Sequence, residues 1–509
     1  MQRRPELVFA LVGAVGTDLK RVGELLTHEL SKVSYSCEKI RLSDLLLECW
    51  RFGALRDRKS SLADDDRINR LMDAGDEFRS VSQRGDAVAL LAMTKMMNSR
   101  PDRDSPRHNH AFLLHSLKHP QELETLRAAY GDALVVVSVY MPRAERRLVL
   151  AKRIAQTRKA YGHEAYMNVA SDLIDRDEKE SGEKFGQNVR DTFPEADFFL
   201  DASDTKTLTL QVERLIQILF HHPHRTPTPD EYFLFHAKAT ALRSADLARQ
   251  VGAVIATADG EIISAGCNEV PKAGGGAVWE DLGGNTNDRR DFHIGHDPTA
   301  RMKHVILTEV FDRLKTGGWL SESFTCQAPE DLATEALVGR KTLAGTRVAS
   351  IIEFGRIVHA EMSAITDAAR RGLAVKNAKL YCTTFPCHMC ARHIIASGIS
   401  EVIYIEPYPK SMARDLYEGM LRVDHDEEED EGAVHFRPFV GTAPRRYLAF
   451  FEMPERKDAQ GHVIEWASTV ASPRVKQFSA FLQIEKGHVL ELARNSREWG
   501  VEEGGESNE

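Results

Sequence analysis

The stretch HAEMSAITDAARRGLAVKNAKLYCTTFPCHMC, residues 359–390, decides how this chain is read. It opens with His359 and Glu361 two positions apart and closes on Pro386, Cys387 and Cys390 in the order P-C-x-x-C. Between them Ala360, Ala364, Ile365 and Ala368 recur at helical spacing, and Gly372 is a helix stop. LYCTTF then has the length and residue types of a strand. One imidazole and two thiolates make the three protein ligands of a catalytic zinc site, whose fourth position is left to water. A Cys-x-x-Cys that opens a helix turns both sulfurs toward one ion, the helix N-terminus favours the thiolates, and Pro386 suits the entry to such a helix. His359, Cys387 and Cys390 are therefore the candidate ligands of Zn2+. Helical spacing predicts that Glu361 points away from the metal side of His359 while bordering the same cavity, where a carboxylate can do the acid and base work of a hydrolysis. A structural zinc would want a fourth protein ligand and has no use for that glutamate; Cys382, the nearest candidate, is expected in the core of the strand.

Outward from this stretch the pattern is α/β throughout. LVFALVG (7–13) reads as strand and glycine turn before a helix with Leu19, Val22, Leu25, Leu26 and Leu30 on one face. ALVVVSVYM (133–141) precedes the basic stretch PRAERRLVLAKRIAQTRK, and ADFFLDAS (196–203) precedes an amphipathic helix. Strands alternating with helices imply a parallel sheet covered on both faces. The proline-rich HHPHRTPTPD (221–230) reads as a linker. After it come a helix through EYFLFHAKATALRSADLARQ (231–250), a hairpin over Val251–Asn268, an insertion over 271–345 and a further strand SEVIYIEP. This predicts domains at 1–220 and 231–470, with a C-terminal extension at 471–509. The acidic run 424–432 reads as a solvated loop, and the last residues as disordered.

Composition narrows the partners. A formal net charge of -9 over 509 residues argues against a broad basic surface for duplex nucleic acid, while leaving room for a local phosphate pocket. Seven scattered cysteines make no disulfide framework, so a reducing cytoplasm is expected. No window of about 18 uncharged apolar residues occurs, and no membrane partner is expected.

H-x-E followed by P-C-x-x-C is the signature of zinc-dependent nucleobase deaminases. Beyond it, VGAVI (251–255), IISAGCNEVP (262–271), HAEMSAI (359–365), LYCTTFPCHMC and SGISEVIY (397–404) resemble the deoxycytidylate deaminase branch of the cytidine deaminase superfamily. The resemblance implies an α/β/α deaminase domain, a deoxycytidine nucleotide as substrate, and a contact from Asn268 to its deoxyribose. Ser363 stands where deoxycytidylate deaminases commonly have Asn, so monophosphate and triphosphate both stay open as substrates.

In the N-terminal half, LVGAVGTDL places Gly13, Gly16, Thr17 and Asp18 where a phosphate-cradling loop opens a helix. It departs from G-x-x-x-x-G-K-[ST]: the glycines are three apart, and Asp18 stands near the expected lysine, while Lys20, one step past Leu19, fits either a substitute for that lysine or a solvent-facing residue. The basic helix from Arg143 to Arg158 resembles the lid of small nucleotide kinases, and a solvated face explains it equally well. A degenerate P-loop-kinase-like domain joined to a deaminase resembles the bacterial anti-phage dCTP deaminases, with EPYPKSMARDLY (406–417) and FRPFVGTAPRRYLAFFE (436–452) extending the likeness. That resemblance implies depletion of dCTP and dCMP during infection, control by a regulatory nucleotide or a noncoding RNA, and a homo-oligomer. The competing readings are an RNA or single-stranded DNA deaminase, and a nucleotide- or RNA-sensing regulator. A second zinc near His293, His296 or Cys326 is weighed against a plain surface loop, which is the expectation.

Overall fold

The computed structural model describes residues 3–58, 61–178, 180, 185–280, 288–408, 411–423, 432–453, 455–475 and 480–494. The acidic run at 424–431 and the terminal residues 501–509 lie outside the described residues. The chain divides into two compact units, one formed by 1–231 with 439–509 and the other by 232–438.

The first unit is built on five parallel strands: β1 (Leu7–Val12), β2 (Ser36–Arg41), β3 (His110–Leu117), β4 (Leu134–Tyr140) and β5 (Phe198–Asp201). They stand in the order β5-β4-β1-β3-β2. β1 is buried at every position because β3 and β4 flank it and helices cover both faces. α1 (Leu19–Lys32) buries the five residues whose spacing announced it, and the Asp18 carboxylate caps it by accepting from Arg21 N at 3.0 Å. The other helices used below are α2 (Asp64–Ser82), α3 (Arg143–Thr157), α4 (Met167–Glu178) and α5 (Thr205–Leu219). Four basic residues of the Arg143–Arg158 stretch are paired within the unit: Arg143 with Asp175, Arg146 with Glu178, Arg153 with Asp64, and Arg158 with Asp65 and Asp66.

His110, at the start of β3, is 2% exposed, and burial beside Arg107 and Arg100 pushes its pKa down to about 4 against the pull of Glu38. The folded value lies below the unfolded value of 6.5, so between those limits the unfolded chain binds a proton that the folded chain refuses. Stability is whole above that window and falls as pH drops through it. Unfolding midpoints of wild type and His110→Gln between pH 7 and 4.5 test this: the variant is expected to lose less, and equal losses would clear His110 of the effect.

The second unit begins within α6 (Pro229–Ala241) and holds β6 (Gly252–Ala256), β7 (Ile262–Cys267), β8 (Lys379–Thr384), β9 (Glu401–Glu406), β10 (Leu421–Val423) and β11 (Val434–Pro438). Their order is β10-β11-β9-β8-β6-β7; β6 is antiparallel to both neighbours and the other pairs are parallel. α7 (Pro298–Thr316) lies in the predicted insertion, and α8 (Ala360–Arg370) and α9 (His388–Ser397) carry the opening motif. β7 passes so close to α8 that a Cβ on Gly266 would sit 2.4 Å from both Ala360 O and Ala364 N. Overpacking of this kind costs about 1–3 kcal/mol. Gly266→Ala is therefore expected to lower the melting temperature and weaken zinc retention together, which calorimetry and metal analysis would read; unchanged zinc content would show that α8 absorbs the shift.

Two boundaries differ from expectation. The helical reading of 231–250 ends at Ala241, because Ser244 and Asp246 turn their side chains to backbone partners in a loop: Ser244 Oγ donates to Asn268 O at 2.6 Å, and Asp246 Oδ1 accepts from Ala248 N at 2.7 Å. The expected 231–470 domain closes at Pro438. Beyond it β12 (Gly441–Thr442) pairs antiparallel with β5, and Thr442 N donates to the buried Glu231 carboxylate at 2.8 Å. α10 (Phe481–Arg494), expected in a separate extension, packs its buried Phe481, Leu482, Val489 and Leu492 within the first unit.

Candidate active site

His359 is the N-cap of α8, and Cys387 is the N-cap of α9 with Cys390 in its first turn. Two helix N-termini thus meet, and His359 Nδ1 lies 3.3 Å from Cys387 Sγ and 3.4 Å from Cys390 Sγ. The three ligand atoms fall within 4.8 Å of one another, the only such cluster of three or more metal-binding side chains among the described residues. One nitrogen and two sulfurs at this spacing suit a four-coordinate zinc with one position left open. The Cys387 thiol is held down to about 4 by hydrogen bonding with Cys390 and with His359, whose own pKa is raised by the same contact. Proton sharing among the three groups is what a metal ion replaces on binding.

Glu361 is 4% exposed and lines the same cavity as His359 and Cys387. Its charge and that of Cys387 act on one another, and it adds to the Cys387 hydrogen bond and the burial that raise the Cys390 thiol. Burial, reinforced by the Cys387 thiolate, raises the Glu361 pKa above the ordinary carboxylate range.

Residues 227–406 match the cytidine and deoxycytidylate deaminase zinc-binding region. Zinc is the cofactor of that region, and the His359, Cys387 and Cys390 cluster is where the chain can hold it. A deoxycytidylate deaminase of Enterobacteria phage T2 is 44% identical over 54 residues, 11% of this chain and 29% of the phage protein. ComE operon protein 2 of Bacillus subtilis is 39% identical over 64 residues, 12% of this chain and 34% of that protein. A Pongo abelii deoxycytidylate deaminase is 30% identical over 108 residues, 20% of this chain and 51% of the relative. The chain thus spans from under a third to about half of the length of these relatives.

The cavity of the deaminase region, about 420 Å3, also takes in residues the sequence reading passed over: Asp246, Arg249, Lys303, Arg356, Phe385 and Tyr408. Asp246 and Arg249 come from the loop misread as helix, and Lys303 from α7 in the insertion, so no local pattern marked them. Asn268 lines the cavity but spends both Nδ2 hydrogens inside the protein, on Asp246 Oδ2 and Arg249 O at 2.8 Å each, while its Oδ1 accepts from Val251 N at 2.7 Å. It ties the 246–251 loop to the end of β7. Cys382 is fully buried on β8, as expected of a core residue. Among the described residues His293 and His296 form no metal cluster with Cys326, which is exposed.

Proposed function

We propose that the second unit is a zinc-dependent hydrolase that deaminates deoxycytidine nucleotides, dCTP or dCMP, to the uracil nucleotide and ammonia. The observation that carries this is the buried Glu361 carboxylate in the cavity lined by His359 and Cys387, two members of the His359, Cys387 and Cys390 cluster. Bound zinc supplies Lewis acidity that brings a water within reach of a neutral-pH base. Glu361 takes one proton of the attacking water and delivers it to the ring nitrogen, then takes the remaining proton from the added hydroxyl and delivers it to the departing amine, so the two water protons end on the uracil ring and on ammonia, a double duty that its raised pKa suits. Asn268 positions the loop that brings Asp246 and Arg249 to the substrate, and meets the sugar only as an acceptor through Oδ1.

Arg249, Lys303 and Arg356 favour a substrate that carries phosphate. Of these, Arg356 is bonded to Asp291 at 2.8 Å, whereas the half-exposed Arg249 stands 3.7 Å from Glu406 and over the Tyr408 ring. The net charge of -9 counts against an RNA or single-stranded DNA substrate. The motifs that resemble anti-phage dCTP deaminases, spread over most of the sequence, support pool depletion during infection as the biological role, in a cytoplasmic homo-oligomer. Incubation of the full chain with dCTP, dCMP, deoxycytidine, CTP and a cytosine-containing oligonucleotide tests the reading. Uracil product from the deoxynucleotides upholds it; product from the oligonucleotide alone overturns it.

A further inference from the structure

The first unit holds a cavity of about 660 Å3, within the size range of small-molecule sites, at the carboxyl ends of β1–β4. β1 is flanked there by β3 and β4, the point at which strand order reverses and where open α/β sheets place their ligands. The cavity is lined by the Gly13–Asp18 loop at the N-terminus of the 14-residue α1, by apolar residues such as Leu42, Leu46, Leu71 and Met72, and by charged ones that include Arg41, Arg67 and Arg153. Thr17 Oγ1, Ser116 Oγ and His115 Nε2, on residues that line this cavity, are buried and have no hydrogen-bond partner among the described residues. Buried polar groups without partners call for a polar ligand.

The loop's anion seat is already taken. Val15 N donates to Asp177 Oδ2 at 2.6 Å, and Asp177, at the end of α4, is wholly buried. Lys118, just past β3, donates to the same carboxylate at 2.9 Å and to Gly13 O at 3.1 Å. Lys20, the sequence candidate for the phosphate lysine, is turned to solvent with its side chain 78% exposed. Lys118 therefore stands where a cation serves the loop, and a carboxylate of the chain stands where a phosphate would.

We propose that this cavity is a nucleoside-phosphate site whose phosphate seat is held closed by Asp177, so that ligand and Asp177 compete for Val15 N and Lys118. Binding displaces the end of α4, and the site answers only to ligand concentrations high enough to do so. The proposal is independent of the deamination chemistry.

Isothermal calorimetry on the full zinc-loaded chain, with inorganic pyrophosphate and with ATP, reads the competition. Asp177→Asn keeps the shape and an acceptor for Val15 N but removes the competing charge. Apparent affinity is the intrinsic affinity scaled by the open fraction, so about tenfold tighter binding is expected. Adding Lys118→Met removes the cation as well, and the gain is expected to disappear. A folded Asp177→Asn protein that binds no tighter overturns the proposal; so does a gain that survives in the double variant, because the ligand then sits elsewhere. Hydrogen exchange on the wild-type protein guards against a variant that fails to fold. Saturating ATP is expected to slow exchange at 13–19 and quicken it at 167–178, and an unchanged 167–178 segment overturns the proposal equally.

Discussion

Glu361→Gln is expected to keep zinc at wild-type stoichiometry and to lower the deamination rate by about 10^2- to 10^4-fold, the usual worth of a positioned general acid and base. The amide matches the carboxylate in shape, and the three ligand atoms belong to other residues, so neither packing nor the metal cluster is disturbed. What is lost is the group that accepts a proton from water and gives it up again. Burial keeps Glu361 from being replaced by bulk solvent in that duty, since only 4% of it is exposed. Metal analysis alongside product chromatography separates the two effects. A rate within a factor of about ten of wild type sinks the assignment, and loss of zinc would show that Glu361 holds the cluster together instead.

Arg100→Met is expected to destabilise the first unit by about 3–5 kcal/mol, because it strips the cation from buried carboxylates. Arg100 has a fully buried side chain and donates to Glu6 at 2.7 and 3.0 Å and to Glu485 of α10. Glu485 also accepts from Tyr130 OH at 2.5 Å, and burial raises its pKa. Without the guanidinium, Glu6 and Glu485 must share a dry site as like charges or take up protons. Replacing Arg100, Glu6 and Glu485 together by apolar residues of similar volume is expected to recover most of the loss, since a well-packed apolar patch often equals a buried ion pair. Denaturant unfolding of both variants distinguishes a charge penalty from a packing one: a triple variant as unstable as Arg100→Met would point to packing.

The parts of the fold legible in the sequence were those whose pattern is local. β1, β4, β5 and the β6–β7 hairpin are apolar runs bounded by turn residues, and α1 and α8 show one apolar face each. β2 gave no such signal, because as the edge strand it buries only Ile40 and neither alternates nor runs apolar. β3 interrupts a short apolar run with His110 and His115, whose rings are accommodated only by the surrounding structure.

At the candidate active site the sequence by itself determined the donor set. His359, Cys387, Cys390 and Glu361 are fixed by residue type and spacing along two helix starts. Tertiary structure decided what faces them: the loss of Asn268's donors to the 246–251 loop, and the arrival of Arg249 and Lys303 from segments with no motif of their own. It also decided that the chain after Pro438 returns to the first unit, and that the glycine loop of that unit is filled by Asp177, 162 residues away from Val15. The physical reason is the range of each constraint. Ligand spacing and helix entry are written within a few residues by backbone geometry, whereas a buried charge takes whichever partner the packed chain brings to it.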